Sequence, residues 1–264
     1  MARSTPFHLV DASPWPILSA MSGFLLLSSL CDFMHSSSYV GILVGAISTI
    51  IVTGFWWRDV SREACLGGFH NPPVQISLRM AMIWFICSEV LFFFGFFWTF
   101  FHASLGVVAE TGYAWPPAGV LVLDPSSVPL LNTVLLLGSS ITVTWSHNCL
   151  LMGNYMGAKN GLVFTIALGA VFTAVQYLEY CESGFSISDS AYGSVFFMAT
   201  GFHGFHVLVG SAFLVVCLVR MVGGQLNASR HVGYECAVWY WHFVDTVWIY
   251  LYCLVYWWGS GFLG

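Results

Sequence analysis

The chain has 264 residues, of which 58% are hydrophobic, 17% aromatic and only 7% charged, with a formal net charge of −5. A soluble domain carries about 25% charged residues, so this composition, with a mean hydropathy of +0.80, excludes a soluble globular fold and points to an all-α polytopic membrane protein. The seven basic residues are too few for a nucleic-acid surface.

The first sixteen residues, MARSTPFHLVDASPWP, hold one basic residue, Arg3, and end in prolines Pro14 and Pro16. They read neither as a signal peptide nor as an Arg-rich transit peptide, so the first span is expected to act as the address. A hydrocarbon core of about 30 Å takes about 20 apolar residues per helix. On that measure seven spans are predicted, at 15–34, 38–57, 79–105, 127–152, 160–181, 191–220 and 232–259. The connections carry breakers or polar residues: HSSS at 35–38, GGFHNPP at 67–73, AWPPAG at 114–119 and ESGFSISDS at 182–190. Spans three, six and seven exceed the minimum and are expected to tilt or to extend past the bilayer. No repeat, low-complexity tract or soluble domain interrupts them, and residues 1–264 read as a single domain.

Charge supplies an independent check on the count. Short cytoplasm-like loops collect Lys and Arg. With seven spans, Arg3, Arg58, Arg62, Arg79, Lys159, Arg220 and Arg230 all fall on one side, and Glu110, Asp124, Glu182 and Asp189 on the other. The amino terminus is therefore expected inside and the carboxyl terminus outside. Trp56 and Trp57 at the inner end of span two, and Trp257 and Trp258 at the outer end of span seven, fit aromatic belts.

Several polar groups fall within the apolar runs. Glu89 follows Arg79 by ten residues, a depth of roughly 15 Å at 1.5 Å per residue. A lone carboxylate there is costly, which favours the neutral acid, facing other helices or lipid and not water. It reads either as a proton-handling group or as a hydrogen-bonding acid between helices. His203 and His206, three apart, share a helix face; they read as a partial metal site or, more simply, as helix–helix hydrogen-bonders. His242 and Asp245 have the same spacing and read either as a proton- or ligand-orienting pair or as a self-satisfied buried pair. Glu235 opens span seven, where a carboxylate suits the helix N-terminus. The nine histidines offer no pair stacked about four turns apart on one helix, as a transmembrane b-type haem wants, and no HExxH occurs. No two of the eight cysteines form CxxC, so they read as small buried hydrophobes. The segment WWRDVSREACLGGFHNPPVQ (56–75) puts Trp57, Arg58, Arg62 and His70 at the bilayer surface, a pattern that suits anionic lipid headgroups. Arg58 and Arg62 can equally pair with Asp59 and Glu63.

The motifs WWRDVSRE (56–63), SEVLFFFGFFWTFFHASL (88–105), WPP (115–117), VPLLNT (128–133), TWSH (144–147), ISDSAYGSVFFMATGFHGFHVLVGS (187–211) and WYWHFVDTVWIYLYCLVYWWGS (239–260) resemble those of cytochrome c oxidase subunit III. They run in order along essentially the whole chain. The resemblance implies a non-redox core subunit of the haem–copper terminal oxidase, which passes electrons from cytochrome c to oxygen and pumps protons. It implies no catalytic residue and no metal in this chain, with haem a and copper in partner subunits. It implies helices one and two (about 15–57) standing apart from helices three to seven (about 79–259), separated by a V-shaped cleft filled with phospholipids, including anionic species. It places the family's carbodiimide-reactive acid on Glu89, linked to proton supply and to sustained turnover. Lipid contacts fall on Trp57, Arg58, Arg62, His70, Arg79 and Arg220. The implied partners are oxidase subunits I and II and accessory subunits.

The chain departs from the family pattern at His147–Asn148, where two histidines are common, at Ala64, Phe69 and His70, and over 106–117. The low Lys content and short termini suggest the mitochondrial inner membrane, with the amino terminus on the matrix side and the carboxyl terminus on the intermembrane-space side; a bacterial plasma membrane is the alternative. The competing function is a proton-coupled transporter or channel using Glu89. Transporters usually show inverted repeats and broken helices, and neither is visible.

Overall fold

A computed structural model describes residues 7–106 and 114–261. Arg3 and Glu110 of the charge test, and most of the divergent segment at 106–117, lie outside the described residues. Among the described residues the fold is all helical, without strands: α1 (Trp15–Ser36), α2 (Val40–Arg62), α3 (Pro72–Leu105), α4 (Val128–Leu151), α5 (Tyr155–Glu182), α6 (Ser190–Val222) and α7 (Val232–Tyr250). Two π-helical stretches extend this set, Glu63–Gly67 after α2 and Leu251–Trp258 after α7. The first six helices are long and apolar enough to cross a membrane. α7 falls short on hydropathy because Glu235, His242, Asp245 and its Trp and Tyr residues lower the mean, although 19 α-helical and 8 π-helical residues give it the length.

Helix ends differ from the predicted ones where local chemistry extends a helix into the polar zone. α2 runs to Arg62, so much of the expected inner loop at 56–75 is helical. α3 begins at Pro72, seven residues before the predicted start at 79. Proline breaks a helix interior but is tolerated in the first turn, where its missing N–H would have no partner. Asn71 completes that start, its Oδ1 accepting from Val74 N–H at 3.1 Å. α5 begins at Tyr155, capped by Asn154, whose Oδ1 accepts from Gly157 N–H at 3.0 Å. The narrow break between α1 and α2 falls in the HSSS turn, where Ser37 takes a left-handed conformation (φ 57°) and its N–H closes on Phe33 O at 2.9 Å.

The chain forms two compact units, Met1–Leu78 and Arg79–Gly264. In the first, α1 and α2 approach through small residues: a Cβ on Gly45 would stand 2.7 Å from Leu26 Cα, and one on Gly41 2.7 Å from Ser29 Oγ. Such close approach is how helices gain packing energy where lipid is as apolar as the side chains. In the second, the core gathers around α7, with Trp241 and Trp248 fully buried. Trp241 fits a slot left by glycines, since a Cβ on Gly169 would lie 2.7 Å from its ring, and its Nε1–H donates to Ser139 Oγ at 2.9 Å. All eight cysteines are free.

Candidate functional site

Glu89 lies midway along α3 and meets α6, its Oε2 being 2.8 Å from His206 Nε2. The other imidazole nitrogen, Nδ1, is 2.6 Å from Phe202 O. A carbonyl only accepts, so Nδ1 carries a hydrogen and donates it. Nε2 then shares one proton with the carboxyl: either Glu89 donates to a bare Nε2, or an imidazolium donates to a carboxylate. The pair is neutral in both forms, which is what an apolar surrounding demands. Phe93, Phe243 and Tyr240 enclose the imidazole at ring-centroid distances of 5.1, 6.1 and 6.3 Å. His206 is nearly sealed, with 8% of its side chain exposed, whereas Glu89 keeps 22%. The carboxyl is thus the open end of the pair.

Several other polar groups of this unit find a partner on another helix. His203 donates from Nε2 to Val244 O at 3.1 Å and packs against Trp248. His242 joins α7 to α4 through Ser140 Oγ at 2.8 Å from Nδ1 and Thr144 Oγ1 at 3.2 Å from Nε2, with Asp245 Oδ2 3.3 Å from Nδ1. Arg79 donates from Nε to Glu235 Oε2 at 2.8 Å, tying the start of α3 to the first turn of α7. Sequence proximity offers Arg79 as the nearest cation to Glu89; the fold gives it to Glu235 instead. Arg220, near the end of α6, passes over α7, its Nη1 lying 3.0 Å from where a Cβ on Gly233 would stand. His147 makes an edge contact with His231 at 5.4 Å.

In the first unit Trp57 is exposed. Arg58 donates from Nε and Nη2 to Asp59 Oδ1 at 3.1 and 3.0 Å and lies over the Phe55 ring at 5.0 Å. Asp59 Oδ2 accepts from Trp15 Nε1 at 2.9 Å, fixing α1 against the end of α2. Arg62 is the last residue of α2. His70 meets His8 edge-on at 5.1 Å, and His8 Nε2 is 4.0 Å from Glu63 Oε2.

Two features escape sequence reading. The first is the partnership of Glu89 with His206, 117 residues apart; an acid and a histidine within separate apolar spans are the only signal for it. The second is Glu179, a buried acid near the end of α5, bonded to Gln176 and Tyr256. Its signal is a carboxylate one turn inside a helix end, within QYLEYCE. Among the described residues, no three His, Cys, Asp or Glu side chains gather as a metal ion would require.

These features define a polytopic α-helical membrane protein whose buried chemistry is an acid–imidazole pair joining two helices. The sequence profile of cytochrome c oxidase subunit III matches residues 5–260. Proteins named cytochrome c oxidase subunit 3 align along nearly the full length. The one from Anopheles gambiae is 50% identical over 255 residues, covering 97% of each chain. That from Latimeria chalumnae is 52% identical over 254 residues, covering 96% of this chain and 97% of its own. That from Drosophila melanogaster is 50% identical over 255 residues, covering 97% of each. The chain belongs to the cytochrome c oxidase subunit III family, and with that family it is a subunit of an oxidoreductase complex. The transporter reading is not favoured.

Proposed function

We propose that this chain is the non-redox core subunit of the respiratory oxidase that takes electrons from cytochrome c to oxygen and pumps protons. It stabilises the catalytic subunit, binds phospholipids and supports proton uptake, while haem a and copper reside in its partners, oxidase subunits I and II. The observation that carries this reading is the Glu89–His206 pair, one shared proton held inside an apolar shell with its carboxyl end open. Such a pair can pass that proton between carboxyl and imidazole without creating net charge in the membrane. Phospholipid headgroups, in the cleft that the resemblance implies, are bound by Trp57, Arg58, Arg62 and His70 and by Arg79 and Arg220. The basic residues that share one side, together with eukaryotic relatives, support the mitochondrial inner membrane, with the amino terminus in the matrix and the carboxyl terminus in the intermembrane space.

The test is Glu89→Gln in the assembled oxidase. The variant assembles, loses labelling by a hydrophobic carbodiimide, and keeps oxygen reduction while proton uptake or turnover lifetime declines modestly. An assembled variant with no oxygen reduction overturns the supporting role. Recovery of the native chain in mild detergent without haem-containing subunits overturns the assignment to the complex.

A further inference from the structure

Glu179 is 3% exposed, in the last turns of α5. Its Oε1 accepts two hydrogen bonds, from Gln176 Nε2 at 2.9 Å and from Tyr256 O–H at 2.7 Å. Gln176 Oε1 in turn accepts from Asn132 Nδ2 at 3.1 Å, at the start of α4. The amide orientations follow from the carboxyl. Oε1 needs donors, so Gln176 presents its nitrogen there, its oxygen faces Asn132, and Asn132 must answer with nitrogen. Glu179 Oε2 and Asn132 Oδ1 are the atoms of this network left buried without a hydrogen-bond partner. A buried polar atom in that state needs a physical account.

No Arg, Lys or His lies within ion-pair distance of Glu179 among the described residues; the ion pairs formed there engage other acids. The titratable groups facing it are phenols. Tyr256 comes from the π-helical stretch Leu251–Trp258 after α7, Tyr180 from its own helix with its hydroxyl donating to Thr200 Oγ1 on α6, and Tyr192 from the start of α6. Oε1 already accepts from Gln176 and Tyr256 and Oε2 has no partner, which leaves Oε2 as the place where a proton can bind.

We infer that Glu179 is an internal proton-binding site, separate from the Glu89–His206 pair, which takes and releases a proton at Oε2 while Gln176 and Tyr256 hold Oε1. The step is a simple protonation. A lone pair on Oε2 forms the O–H bond, hydronium supplies the proton and leaves water, and on release water takes it back. Nothing is oxidised or reduced. The site lies at the end of the bundle where α4 begins and α5 and α7 end. It does not depend on the role given to Glu89.

Infrared spectroscopy of the purified oxidase across a pH series, in H2O and D2O, tests this. The expected result is a protonated-carboxyl C=O band that shifts in D2O, changes intensity with pH, vanishes in Glu179→Gln and persists in Glu89→Gln. Tyr256→Phe leaves the carboxyl in place and removes one donor from Oε1, so it should keep the band and raise its frequency. That second variant decides the matter if Glu179→Gln does not assemble: an unmoved band overturns the inference. So does a band that ignores pH, which marks a purely structural neutral acid. Carboxylate bands alone, moved by exchanging sodium for potassium, mark a cation site and overturn it too, as does loss of the band in Glu89→Gln.

Discussion

Replacing Glu89 by Ala and by Gln separates two descriptions of the pair with His206. His206 Nδ1 is committed to Phe202 O at 2.6 Å, so Nε2 has only the carboxyl at 2.8 Å to satisfy it. Glu89→Ala leaves that nitrogen, on a side chain 8% exposed, without a partner. An unsatisfied buried polar group costs about 1–3 kcal/mol. At about 1.4 kcal/mol per decade, that is roughly a five- to 150-fold loss in the folding equilibrium. Glu89→Gln behaves differently. Its amide N–H reaches the same Nε2 and keeps a hydrogen bond, and membrane hydrogen bonds average only about 0.6 kcal/mol in double-mutant cycles. Gln should therefore cost no more than about 0.5 kcal/mol. The assay is equilibrium release and unfolding of the chain from the oxidase with rising dodecyl sulfate, for both variants and for each combined with His206→Ala. Equal destabilisation by Ala and Gln would refute the reasoning, because it would make charge, not the hydrogen bond, the source of stability.

Three further outcomes follow from the same geometry. Arg58→Gln with Arg62→Gln should lower the phospholipid retained per purified complex, measured as phosphorus per haem; unchanged stoichiometry counts against headgroup binding there. Gly45→Leu should destabilise the α1–α2 pair by about 1–3 kcal/mol through overpacking, because the new Cβ meets Leu26 backbone at 2.7 and 2.9 Å. Gly54→Leu, with nothing within 4 Å, should be near neutral when both variants are unfolded in rising dodecyl sulfate. A preparation of this chain freed of subunit I should show no Soret absorbance; one haem per chain would overturn the reading of the histidines.

Hydropathy and breakers locate the helices because lipid imposes one rule on every span, and that rule is local. Ser37 ends α1 where the HSSS turn reads as a break. The helix starts are harder. Pro72 and Pro73 read as loop residues, yet proline suits a first turn, so α3 begins there. Asn154 caps α5 ahead of the apolar run that suggested a start at 160. α7 carries its polar groups inward, to Ser140, Thr144 and Arg79, which is why its hydropathy is low although its face is buried. What stays hidden is pairing at long range. Glu89 and His206 are each visible as polar residues in apolar runs, but nothing in either run names the other. Glu179 sits where a helix end and a loop acid look alike, and only the fold puts Tyr256 beside it.

The widened turns at Leu251–Trp258 bear on which changes in chain length this protein can absorb. Wide turns accommodate one residue more than a regular helix of the same course, and such bulges gather at functional positions. Removing a single residue between Leu251 and Tyr256 would let the α-helix resume along the same course, whereas inserting a further residue would turn every side chain beyond it by about 100°. Tyr256 would then swing away from Glu179, and Val255 would leave the core while every amino acid kept its identity. Insertions here should therefore be rarer than single-residue deletions, because an added residue separates Tyr256 from its partner on α5.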